Sequence, residues 1–266
     1  VEQKGVQVNI TFTDVMGIPK EFFPKPASSS IPDWYKNMDS YMAKGKIPDG
    51  NGMTTATIKR CMPVFDAISN GYILHTYADV YIKQVPIDYV DKEHFEKTKE
   101  SRFLSKEEVE EKGMPTTQAH YEWPSFGPIQ FHPVEQAPNH PNRNGTPNSY
   151  PKWINPWSVK TPKGYSTLFI QPMHRESVFT ILPGIVDTDE YDSPVNFPFV
   201  LNDPKFEGMI PAGTPMAQII PVKRDAWSMK IGTEEDLEHQ KETTIRLRTS
   251  IFDSYKNKFR QLKEYK

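Results

Sequence analysis

A mainly β fold is what this sequence predicts: an antiparallel sandwich or β-clip-like barrel that carries a charged insertion and a C-terminal α-helix. Three observations point there. Proline is abundant, with 25 in a chain of 266 residues, and proline interrupts both helix interiors and central strands. Aromatic and β-branched residues come in short runs separated by turn residues, the pattern of antiparallel strands. After Thr233 the apolar spacing changes to a sustained helical period.

The totals narrow the function classes. A chain of this length can form one large β domain or two small ones, and can bury a sizeable core. Net charge is −2, so no whole-protein field draws in nucleic acid, and no nucleic-acid partner is expected. The single cysteine, Cys61, excludes an internal disulfide and a multi-cysteine metal centre. It lies in a strand-like stretch and reads as a buried core residue. No apolar run reaches the roughly eighteen residues of a membrane span, so no membrane partner is expected. The N-terminus lacks a basic-then-apolar signal pattern. It begins at Val1, so an initiator methionine or a longer leader is expected ahead of it.

In chain order, Val6, Val8, Ile10 and Phe12 alternate with polar residues and predict a strand. Ser30-Ile31-Pro32-Asp33 has the form of a helix start. Trp34, Met38 and Tyr41 then fall on one helical face, and Gly45 and Pro48 end it. Thr54–Cys61 reads as a strand, Pro63–Asn70 as a short helix, and Tyr72–Ile82 as another strand. The charged stretch at about 85–120 is a surface insertion. Within it Ser105 and Glu108 form a capping box for a short helix. Residues 123–162 are rich in proline and tryptophan and predict an ordered loop, with a short strand at Pro128–His132. Tyr165–Gln171, Ser177–Leu182, Val195–Leu201, Met216–Val222 and Trp227–Ile231 follow as strands. The β-rich domain is thus expected over residues 1–232 and the C-terminal helix over 233–266. Acidic residues open that helix and basic ones close it, which suits the helix dipole. Unbroken, it would be roughly 45 Å long at about 1.5 Å per residue. A homo-oligomer through this helix is one expected use.

The candidate site lies in 171–224, where short strands, sharp turns and charged side chains concentrate. His174, Arg175 and Glu176 come first, then Asp187, Asp189, Tyr191 and Asp192. Together His174, Arg175, Glu176, Asp187, Asp189 and Tyr191 are the expected ligand-binding set, and Asp187 is the catalytic candidate. The three aspartates could take a hard cation by oxygen ligands, but turns between strands favour aspartate for their own reasons. His132, Glu135 and His140 offer donors for zinc or iron. Their spacing fits no established metal pattern, so hydrogen-bonded loop histidines are the preferred reading. No P-loop, nucleophile elbow or dinucleotide fingerprint is present. No cofactor follows from the sequence.

Gly184-Ile185-Val186-Asp187-Thr188-Asp189-Glu190-Tyr191 resembles the G-x-x-D-x-D-Y signature of the dUTPase and dCTP-deaminase superfamily, the β-clip fold. The resemblance implies that Asp187 contacts the sugar and the attacking water, and that Tyr191 stacks under the deoxyribose. Ile210–Ile220 resembles that family's closing strand, and Pro172–Ser177 its phosphate loop, with Arg175 as the arginine. The sequence departs from the family at Glu190, an extra residue. It also departs at Glu176, which stands where a serine would follow the arginine, and a carboxylate there repels phosphate. The glycine-rich C-terminal lid is absent.

A broader similarity spans nearly the whole chain. The segments IPDWYKNM, ATIKRCMPVFDAISNGY, FHPVEQAPNHP, PKWINPWSVKTPKGYSTLFIQPMHRES, GIVDTDEY and PVNFPFVLNDPKFEGMIPAGTP resemble an uncharacterised family of tailed phages, notably cyanophages and other marine viruses, and of some bacteria. The similarity implies a phage-associated protein in the cytoplasm of an infected or host bacterium, or in the virion if it is structural. Its leading expected role is an accessory protein that binds a small polar ligand at His174–Tyr191. The alternatives are a virion structural or assembly protein and a divergent nucleotide hydrolase.

Overall fold

The computed structural model describes residues 8–42, 55–86, 91–100, 102, 105, 108, 115–122, 127–133, 149–203, 206–248 and 254–266. The fold is mainly β, and the sheets are open: none closes into a barrel among the described residues. The chain divides into two compact units. One comprises residues 1–24 and 73–222, the other 25–72 and 223–266.

The first unit contains the sheets. Strand β1 (Thr11–Asp14) is followed by β2 (Tyr72–His75), β3 (Val80–Pro86) and β4 (Pro115–Tyr121). Then come β5 (Ile129–Pro133), β6 (Ser149–Trp153), β7 (Trp157–Lys160), β8 (Tyr165–Ile170) and β9 (Phe179–Ile181). The last four are β10 (Gly184–Val186), β11 (Phe197–Leu201), β12 (Glu207–Ile210) and β13 (Pro215–Lys223). Their sheet orders are β1-β7, β9-β11-β6-β5, β10-β8-β13-β2 and β12-β3-β4. The ladders β1–β7, β9–β11, β10–β8, β11–β6, β12–β3, β3–β4 and β5–β6 are all antiparallel.

The core forms where strand alternation turns large aromatics inward. Phe197, Phe199 and Leu201 share one face of β11 and are buried, as are Phe179 and Ile181 on β9. Trp153 packs on Phe179 and Phe199 with ring centroids 5.2 and 5.1 Å away. Phe169 of β8 meets Phe197 of β11 at 5.6 Å, so two of the sheets face each other across this aromatic layer. Such contacts supply hydrophobic burial plus a ring-geometry preference of about 0.5–1.5 kcal/mol per pair.

In the second unit, helix α1 (Asp33–Asn37) buries Tyr35 and helix α2 (Met62–Ser69) buries Ile68. Helix α2 matches the sequence reading. Helix α1 is shorter than the Trp34–Tyr41 spacing suggests: Met38 leaves helical geometry and Tyr41 makes an isolated bridge with Ala56. Ile58–Arg60 forms a tight 3-10 turn rather than a strand. Cys61 stands just before α2 and is exposed, not a core residue.

The expected single strand at Tyr72–Ile82 divides into β2 and β3. Backbone bonds from Thr76 and Gly213 tie the intervening turn to residues 213–214. The charged stretch contains helix α3 (Lys92–Thr98), capped by Asp91, whose side chain accepts from the His94 N–H. The Ser105–Glu108 capping box forms in both directions: Glu108 accepts from the Ser105 N–H at 2.7 Å, and Ser105 Oγ accepts from the Glu108 N–H at 3.2 Å.

The C-terminal region is not one long helix. Helix α4 spans Glu234–Arg248 and α5 spans Ser254–Lys258. Thr233 and Asp236 cap α4 reciprocally. Residues 260–266 are non-helical and anchored. Arg260 forks onto Asp66 at 2.7 and 3.0 Å, Lys263 reaches the same carboxylate at 3.2 Å, and Tyr265 stacks edge-on with Tyr72. These long-range contacts override the local helical period.

Candidate functional site

Strand β8 organises the expected site. Its register with β10 places Gly184 opposite Phe169 and Val186 opposite Thr167. Asp187 therefore emerges beside the start of β8, where its Oδ1 accepts from Ser166 Oγ at 2.6 Å. His174–Glu176 leave from the other end of the strand, beyond Ile170. A six-residue strand spans roughly 20 Å at about 3.3 Å per residue. The two halves of the sequence-predicted ligand set thus leave β8 at opposite ends.

The aspartate half is a fastened turn. Glu190 and Tyr191 donate their backbone N–H groups to the Asp187 carbonyl at 3.0 and 2.8 Å. Thr188 is buried, and its hydroxyl meets those of Thr161 and Thr167, both at 2.7 Å. Asp189 is buried too, and its Oδ2 accepts from the Gly164 N–H at 2.8 Å. Gly164 has φ +86°, a left-handed conformation in the β7–β8 turn that a side chain would strain. Asp192 receives Ser158 Oγ on its carbonyl and on Oδ1 at 3.1 and 3.2 Å. Thus Asp187, Asp189 and Asp192 fasten this turn to β7 and β8. Tyr191 and Glu190 are exposed.

The other half is a tight loop between β8 and β9. Gln218, fully buried on β13, accepts from the Met173 N–H at 2.8 Å, and Gln171 accepts from the Ile181 N–H at 2.9 Å. His174 takes a left-handed φ of +56°, uncommon for a residue other than glycine. His174 and Glu176 are exposed. Arg175 is half-buried, reaches the Met173 carbonyl at 3.4 Å, and has its pKa lowered by desolvation. This loop presents a cation in a partly dry setting next to exposed polar groups.

His132 lies half-buried on β5, while Glu135 and His140 fall outside the described residues. Among the described residues no group of three or more His, Cys, Asp and Glu is placed to hold a metal ion. No helix there is long and apolar enough to cross a membrane.

A third feature escaped the reading of 171–224. Trp227, Met229 and Ile231, expected to be a strand, form no ladder with any described strand. Their side chains are 89%, 88% and 83% exposed. Every residue from Val222 to Glu242 is exposed. Large apolar side chains close together in sequence and open to water mark interaction surfaces. The alternation that suggested a strand was the available signal; it lacked any indication that no described strand pairs with it.

No protein-family model, no curated protein and no solved structure matches this chain.

Proposed function

We propose that this chain is a structural or assembly protein of a tailed-phage particle, and that its C-terminal arm, residues 223–248, is the assembling element. One observation carries the reading: Trp227, Met229 and Ile231 stand almost wholly in water at every second position of a continuous exposed segment. Leaving three such side chains hydrated costs roughly 1.5–3 kcal/mol each relative to burial, a cost that contact with another chain removes. The mainly β body, with loops tied down by side-chain hydrogen bonds, suits a scaffold that presents an arm. The sequence similarity to the tailed-phage family supports the setting.

The test is self-association measured by light scattering over a concentration series. The expected result is an oligomer that Trp227→Lys disrupts while the circular dichroism spectrum stays unchanged. An interface tryptophan commonly contributes about 2 kcal/mol or more, so association should weaken roughly thirty-fold. A wild-type chain that stays monomeric at high concentration would sink the reading.

A second reading keeps a small polar ligand at the His174–Glu176 loop. It is favoured by Arg175, a half-buried cation whose pKa burial lowers, since an anion would offset that desolvation. The measurement is a thermal-shift panel of phosphate, 2-oxoacids and nucleotides with magnesium, repeated on Arg175→Met. An anion that raises the melting temperature only when Arg175 is present supports this reading, because a ligand of the native state stabilises by mass action. Pyrophosphate release from a nucleotide, lost in Arg175→Met, would extend it to hydrolysis. A flat panel removes both.

A further inference from the structure

We propose that helix α2 and Tyr72 form a docking site for a segment of the pattern Arg-x-x-Lys-x-Tyr, that residues 260–265 fill it as a strap, and that this strap exchanges with the same segment of a second copy of the chain.

The strap is held as a ligand is held. Residues 260–266 belong to no helix or strand. Leu262, their one aliphatic side chain, is 76% exposed, while Arg260 and Tyr265 are the two that are partly buried. A segment that builds a core turns its apolar side chains inward. This one is instead read through the side chains at 260, 263 and 265.

The site answers each of them. Asp66 Oδ1 accepts from Arg260 Nε and Nη2 at 3.0 and 2.7 Å, and its Oδ2 accepts from Lys263 Nζ at 3.2 Å. Such a forked pair between guanidinium and carboxylate is stronger and more directional than a neutral hydrogen bond. The Phe65 ring lies beneath the guanidinium, 5.6 Å away, and adds a cation–π contact. Tyr72 meets the Tyr265 ring edge-on at 5.7 Å, and its hydroxyl donates to the Lys266 carbonyl at 3.3 Å.

Contacts other than the strap position this site. Helix α2 buries Ile68, and Phe65 packs on Tyr35 with ring centroids 5.9 Å apart. Tyr35 is itself buried, and its hydroxyl donates to the Lys59 carbonyl at 2.8 Å. Helix α2 therefore presents Asp66 and Phe65 to a strap from either source. A second copy supplies the three matching side chains at the matching spacing by identity.

The connection to the strap is open to exchange. Residues 222–242 are exposed throughout, and 224–233 lie in no helix or strand. Identical chains swap an element at little loss, because every contact is kept. What changes is the effective concentration of strap at site, and bringing copies together restores it. Assembly of copies thus favours exchange.

Two full-chain variants test this, both carrying Trp227→Lys so that the apolar arm does not contribute. Asp66→Asn keeps the strap and spoils the site. Arg260→Ala with Tyr265→Ala keeps the site and spoils the strap. Each alone should be monomeric in sedimentation velocity. An equimolar mixture should form a one-to-one pair, because the intact strap of one meets the intact site of the other. Fluorescence anisotropy with a labelled peptide of residues 254–266 is the second measurement. The peptide should bind the strap variant roughly tenfold or more tighter than the Trp227→Lys parent, whose own strap keeps most sites filled. It should not bind Asp66→Asn. Circular dichroism confirms folding, and Lys263→Ala with Tyr265→Ala replaces the strap variant if that one unfolds. A peptide that leaves the strap variant unbound, or binds Asp66→Asn equally well, overturns the docking site. A mixture that stays monomeric while the peptide binds overturns exchange between copies. Neither result touches the assembly reading, which stands or falls with the Trp227-dependent oligomer.

Discussion

Replacing Asp66 by asparagine should release the C-terminal segment from α2. Asp66 is only 11% exposed and Arg260 13%. Arg260 donates to Asp66 through both Nε and Nη2, at 3.0 and 2.7 Å to Oδ1. Its guanidinium also lies over the Phe65 ring, 5.6 Å from the centroid. Lys263, half-exposed, adds a weaker contact at 3.2 Å. Asparagine keeps the volume and one acceptor but leaves the buried guanidinium without a counter-charge. Breaking one side of a fully buried pair costs about 3–5 kcal/mol. Residual exposure lowers this, and the lysine adds little, so we expect about 2–4 kcal/mol. The sensitive probes are the Phe259 and Arg260 amides, which donate to the Tyr255 carbonyl at 3.1 and 2.9 Å. Their hydrogen exchange should accelerate roughly thirty-fold or more, since about 1.4 kcal/mol is tenfold in an opening constant. Exchange unchanged in the variant would refute the claim that this ion pair holds the segment.

The same contact sets a pH dependence. Burial pushes the Asp66 pKa up, but the hydrogen bonds and charges of Arg260 and Lys263 outweigh it, and the net shift is downward. A carboxylate with a lowered folded pKa stabilises fully above its unfolded value, about 3.9. That stabilisation is lost as pH falls through the lower folded value. Protection of the Phe259 amide should therefore persist at neutral pH and fade below about pH 4, and Asp66→Asn should abolish that dependence. Asp189→Ala should destabilise the first unit by about 1–3 kcal/mol, by leaving the Gly164 N–H without its charged acceptor; an unshifted urea midpoint would count against the fastened turn. Phe199→Ala should cost about 3–5 kcal/mol, because the ring is fully buried between Trp153 and Phe179 and truncation leaves a cavity. A loss below 1 kcal/mol in chemical denaturation would show that the aromatic layer repacks.

How much the sequence determined by itself follows the range of the forces involved. Alternation and proline placement are local, and they located most of the strands from Ile129 onward, as well as the mainly β class. Capping is local too: Ser105 with Glu108 forms the expected box. So is the boundary at Thr233, whose hydroxyl accepts from the Asp236 N–H. Tertiary structure decided whatever depended on a distant partner. The closely spaced carboxylates found partners far away in sequence: Ser166, Gly164 and Ser158 lie within hydrogen-bond reach of Asp187, Asp189 and Asp192. His174–Glu176 left the other end of β8 because β10 pairs antiparallel with it. Residues 260–266 gave up helical spacing for the buried charge of Asp66, 194 positions earlier in the case of Arg260. Trp227–Ile231 has the alternation of a strand, yet a strand also needs a neighbour for its backbone groups and its apolar face, and no described strand of the chain supplies one.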